Sequence, residues 1–124
     1  MAKRSMTISQ LRKFCEKLDI TLTDFDNKWA HQFLKTIGWE AAEDRPKGLA
    51  VGAKHGVFAM FEKSMCTSEK LFVIFHEIGH ILMGHVTCRA MTIEEKELEA
   101  NIFASVFMAM ETYKAFSKGG ELDG

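Results

Sequence analysis

The chain has 124 residues, a net charge of −1, and 47% apolar and 27% charged side chains. That length supports one domain, 1–124, with a real core. The balanced charge gives no electrostatic case for direct binding of nucleic acid or of an anionic membrane, and no apolar run approaches the ~20 residues of a membrane span. The basic start MAKRSMTISQ has no apolar segment after it, as a secretion signal would require. Cys15, Cys66 and Cys88 are odd in number and lack C-x-x-C spacing, which fits reduced thiols in a cytoplasmic protein.

Thr7 to about Asp19 predicts a first helix. Thr7 and Gln10 have capping-box spacing, and Ile8, Leu11, Phe14, Cys15 and Leu18 line one face. A second helix is expected from near Asp24 to Ile37, with Thr23 as N-cap, Gly38 as stop, and Phe25, Trp29, Phe33, Leu34 and Ile37 as its packing face. Two helices at a mildly basic end raise the question of helix-turn-helix DNA binding. The recognition-helix position is apolar and carries Trp29, so residues 1–38 read better as a helical packing lid. Glu43 to Gly48, with the sole proline Pro46, reads as a loop, preceded by a short strand at Trp39 to Ala42. Leu49 to Ala53 and Val57 to Phe61, joined by Lys54-His55-Gly56, predict a hairpin in a small antiparallel sheet.

Leu71 to His85 reads LFVIFHEIGHILMGH. Phe72, Val73, Phe75, Ile78, Ile81 and Leu82 make it a buried helix, entered through Ser64 to Glu69 with Thr67 or Ser68 as N-cap and ended near Gly84 and His85. His76 and His80, four residues apart, sit about 40° apart around the axis and can reach one point. Burying two histidines and Glu77 is costly unless something satisfies them. A divalent metal would, zinc being suited to imidazole, with Glu77 placed to take a proton from the attacking water. This is the H-E-x-x-H pattern of zinc hydrolases. Gly79 beside the ligands costs about 1 kcal/mol against alanine, which makes sense if another helix or a substrate approaches there. The hairpin strand Val57 to Phe61 then reads either as a cradle for a substrate backbone or as structural cover.

Catalytic zinc usually holds a third protein ligand. His85 lies five residues after His80, about 140° round a continuing helix, and so reads as the wrong third ligand, near the cleft rim at most. The next helix, from Thr92 with a capping box to Glu95, packs through Ile93, Leu98, Ile102, Phe103, Val106, Phe107 and Met110. Its Glu94 and Glu95 suit the acidic first turn. Helical phase does not separate Glu97 from Glu99 as ligand. Small or polar Ala100, Asn101 and Ala104 follow Glu97, and Asn101 is placed to orient a ligand histidine. Tyr113 and His85 are candidates for a second oxyanion donor. Residues 48–116 form the metal-binding core on this reading and 117–124 a flexible tail.

H-E-I-G-H-I-L-M-G-H followed by E-x-E-A-N-x-F-A resembles the ImmA/IrrE family of metallopeptidases, within the wider gluzincins, over roughly Gly48 to Met110. The resemblance implies an α+β, mainly helical, minimal zincin-like domain with a small antiparallel hairpin before the H-E-x-x-H helix. It implies His76, His80 and Glu97 as Zn2+ ligands and Glu77 as catalytic base of a zinc-dependent endopeptidase. The implied protein substrate is a helix-turn-helix repressor of a phage or mobile element. Two departures from the family bear on substrate range: the second helix continues as Val106-Phe107-Met108-Ala109-Met110 without a leucine-rich run ending in proline, and SKGGELDG leaves no room for the C-terminal domain that some relatives carry. The alternative is a non-hydrolytic protein-binding module with a structural zinc site. It is disfavoured because a structural site needs no glutamate after its first ligand and usually has four protein ligands.

Overall fold

The structure, a computed structural model, describes residues 7–36, 46–53 and 56–118. Within them it is an α+β, mainly helical domain with four helices and one three-stranded mixed sheet. The expected strand over 39–42, the Gly38 stop, the His55 turn and residues 119–124 lie outside the described residues.

Helix α1 (Ile8–Lys17) opens on the expected box: Thr7 Oγ1 accepts from the Gln10 N–H at 3.1 Å and Gln10 Oε1 accepts from the Thr7 N–H at 2.9 Å. The chain leaves it through Asp19, whose φ of 59° lies in the left-handed region that aspartate tolerates. It runs straight into β1 (Ile20–Asp24). Here the structure corrects the sequence reading, since Thr23 belongs to a strand and caps no helix. The cap of α2 (Lys28–Thr36) is Asn27, whose Oδ1 accepts from the N–H groups of Trp29 and Ala30.

Strands β2 (Gly48–Ala53) and β3 (Gly56–Phe61) form the predicted antiparallel hairpin, and β1 joins β3 in parallel, giving the order β1-β3-β2. Side chains alternate across β3, as a pleated strand requires. Phe58 and Met60 face α2, where Phe25, Ala30 and Leu34 form one core. Ala59 and Phe61 face the other way, into the main core with Leu11, Cys15, Ile20, Leu22, Leu71, Ile74, Phe75 and Ile78. Because β3 is paired on both edges, Val57 to Phe61 cannot take an added strand. Among the described residues the sheet's two outer edges belong to β1 and β2.

Helix α3 (Thr67–Leu82) has Cys66 at its N-cap rather than Thr67 or Ser68, with no side-chain cap bond. It buries Leu71, Ile74, Phe75 and Ile78 against the sheet, each such aliphatic or aromatic side chain contributing roughly 1.5–3 kcal/mol. Helix α4 (Ile93–Lys118) opens on Thr92, whose N–H donates to Glu95 Oε1 at 2.7 Å while its Oγ1 accepts from the Glu95 N–H at 3.1 Å. It meets α3 through buried Ala100 and Ala104 and through Phe103 and Phe107. The expectation at Gly79 holds: a Cβ there would stand 3.0 Å from the Phe103 ring, so the glycine sets how closely α4 can lie.

Candidate metal centre

Helix α3 turns one face toward α4, and the two histidines of the motif lie on it one turn apart. His76 and His80 lie there with side chains 14% and 12% exposed. Glu97, in the second turn of α4, reaches both. Its Oε1 is 3.1 Å from His76 Nε2, its Oε2 is 2.8 Å from His80 Nε2, and the two Nε2 atoms are 3.0 Å apart. Donor atoms of a tetrahedral zinc site stand about 3.3 Å apart, so this triangle of two imidazoles and one carboxylate fits a zinc-class cation. Among the described residues it is the only group of three such side chains close enough to hold a metal ion.

Glu77, the next residue round the helix from His76, lies against the start of β2. It is 7% exposed, and burial, with a smaller push from the Glu97 charge, raises its carboxyl to about 8. A Cβ on Gly48 would stand 2.7 Å from Glu77 Oε2 and 2.5 Å from Val73 Cγ1, so only glycine leaves the carboxylate its place. The same face of β2 carries Ala50 and Gly52, while Leu49 and Val51 pack toward α2. In GLAVGA the large residues therefore hold the strand and the small ones leave a cleft above it.

That cleft extends to both sides of the metal-ligand group. One part, about 370 Å³, is lined by Leu49, Ala50, Val86, Ile93 and Lys96. The other, about 290 Å³, is lined by Lys47, Phe72, Val73 and Asn101. Pro46, Gly48, His76, Glu77 and Glu97 border both. Lys96 is anchored, its Nζ donating to the Cys88 carbonyl at 2.6 Å.

The structure thus gathers His76, His80 and Glu97, sets Glu77 beside them, and separates Glu97 from Glu99. Asn101 is exposed at the second part of the cleft, and no hydrogen bond joins it to a ligand histidine among the described residues. Tyr113 is 67% exposed and lies sixteen residues past Glu97, about 24 Å along the helix, which removes it as an oxyanion donor. His85 is the larger correction. It borders the cleft, as expected, but is not free to act as a donor, because its side chain is 1% exposed and both ring nitrogens are engaged. Nδ1 lies 2.9 Å from His80 Nδ1 and Nε2 lies 2.7 Å from Glu99 Oε1. The 140° separation would hold only on a continuing helix, and α3 stops at Leu82. Gly84, φ +75°, turns the chain back in a Schellman motif, with His85 N–H on the His80 carbonyl at 2.8 Å and Gly84 N–H on the Ile81 carbonyl at 3.0 Å. A glycine four residues after His80 is the signal that placed His85 under it.

His80 is held below the usual imidazole range, first by burial and then by the neighbouring His76 charge, so its neutral, ligating form is favoured near pH 7. Comparison with curated proteins and with solved structures gave no match. Residues 62–113, which contain α3, the Gly84 turn and most of α4, match the model of the IrrE N-terminal-like domain, a metallopeptidase family. Residues 62–113 are thus similar to the IrrE N-terminal-like domain, the likeness that the motif resemblance implied.

Proposed function

We propose that the protein is a zinc-dependent endopeptidase, with His76, His80 and Glu97 holding the metal and Glu77 as general base. The observation that carries this is a buried carboxylate at the floor of an open cleft, beside three converging donor atoms. Bound zinc would supply a Lewis acid for the scissile carbonyl and acidify the attacking water. Glu77 is placed to accept a proton from the attacking water and to return it to the leaving amine. Gly48 leaves room for the carboxylate against β2, where Glu77 borders the cleft. The free edge of β2 offers backbone groups to an extended substrate, which would run past Glu77 by strand addition. A cleft open on both sides suits cutting within a chain.

The substrate that the family resemblance implies is a helix-turn-helix repressor of a phage or mobile element, with the protein acting in the cytoplasm. A binding module with structural zinc leaves the buried Glu77 without a role. The test is incubation with the repressor encoded beside it. A cut that chelator abolishes and zinc restores is expected, with Glu77→Gln keeping its metal and losing about 10²–10⁴-fold in rate. Cleavage by Glu77→Gln at the wild-type rate would contradict the general-base role.

A further inference from the structure

We infer that Glu99 and His85 form a two-link chain that fixes His80 in the tautomer and orientation a metal requires; this rests on the reading of His80 as a ligand. The argument is one of donors and acceptors. Glu99 Oε1, a carboxylate oxygen, accepts, so the proton in the 2.7 Å contact sits on His85 Nε2. A neutral His85 then has a bare Nδ1, which can only accept across the 2.9 Å contact to His80 Nδ1. His80 must therefore carry its proton on Nδ1, and its Nε2, facing Glu97 and His76, is left with a free lone pair. One acidic residue of α4 thus meets His80 from the front and another holds it from behind.

The fold builds this chain locally. The Schellman turn usually brings an apolar residue back onto the helix it ends, and here it brings an imidazole onto an imidazole. Burial of His85 excludes water that would otherwise compete for either nitrogen. Glu99, with its side chain 47% exposed, sits at the accessible end, so it can be replaced without opening the core. Both are positioning residues, since each acts through His80.

The test measures Zn2+ affinity by competition with a chromogenic chelator, alongside nitrogen-15 imidazole spectra of the metal-free protein. His80 is expected as the Nδ1–H tautomer in the wild type. His85→Leu and Glu99→Leu should each bind Zn2+ about 10–100-fold more weakly and lose that tautomer preference. His85→Asn, whose side-chain oxygen can still accept from His80 Nδ1, should stay within about threefold of wild type, a rescue that loss of bulk alone would not give. If His85→Leu fails to fold, Glu99→Leu carries the measurement. Wild-type affinity in Glu99→Leu, or a wild-type His80 protonated on Nε2, overturns the chain while leaving the metal site standing. A wild type that binds no Zn2+ removes the site and the chain with it.

Discussion

Helices α3 and α4 build one site from opposite situations. Helix α3 has Leu71, Ile74, Phe75 and Ile78 locked in the core, and its two histidines and Glu77 inherit their directions from that packing. Helix α4 is long but touches the domain along a narrow seam, burying Ala100, Ala104 and Glu111. Leu98, Ile102, Val106 and Met110 are all more than half exposed. The difference shows how a three-donor cluster can be divided. Glu77 and the paired imidazoles are placed by apolar burial, whereas Glu97 is placed by a helix start, a glycine-permitted close approach and a few polar contacts.

The sharpest way to break the comparison is to delete equivalent apolar bulk from each helix. Ile74→Ala on α3, at a fully buried position, should cost about 2–5 kcal/mol in chemical denaturation. Equal losses from Ile74→Ala and from Ile102→Ala, which is 53% exposed, would show that the two helices are anchored alike.

The pH dependence sharpens the α3 side. Glu77 has its carboxyl raised from 4.5 to about 8 in the fold, so the protonated form is the one folding favours. Its contribution is therefore fully present below pH 4.5 and lost as pH rises through about 8. Metal-free wild type should fall behind Glu77→Gln over that window by an amount on the order of a few kcal/mol. Parallel stability profiles for the two proteins would contradict the burial of this carboxylate.

Gly79→Ala tests the seam between the helices. The new Cβ meets the Phe103 ring at about 3 Å, so α4 must shift or Phe103 must move, at a cost of about 1–3 kcal/mol. Glu97 rides on the same helix, and Zn2+ affinity should fall with stability. Unchanged affinity would mean that the Gly79 contact does not set where α4 carries Glu97. The smallest effect is expected from Ile102→Ala, within about 0.5 kcal/mol of wild type.

What was readable in advance follows the same division. The capping boxes at Thr7 and Thr92, the hairpin, and the His76–Glu77–His80 face all depend on residues a few positions apart, whose geometry is local. Strand β1 was missed because its partner, β3, begins thirty-six residues later, and the Thr23 hydroxyl resembles a helix cap. The apolar alternation of Ile20 and Leu22 was the available signal. His85 was misplaced because rotation was counted on a helix that had already ended, although Gly84 marked the stop. The choice of Glu97 over Glu99 was open to helical phase. Tertiary approach at Gly79 brings both carboxylates to histidines, one to the ligand pair and the other to His85.

The most direct test of the central account is calorimetric titration of the metal-free protein with Zn2+, comparing wild type with Glu97→Ala. One tight site is predicted in the wild type, and Glu97→Ala should lose more affinity than the ~10–100-fold typical of removing a group behind a ligand. Wild-type affinity in Glu97→Ala would contradict the assignment of His76, His80 and Glu97 to a single metal ion.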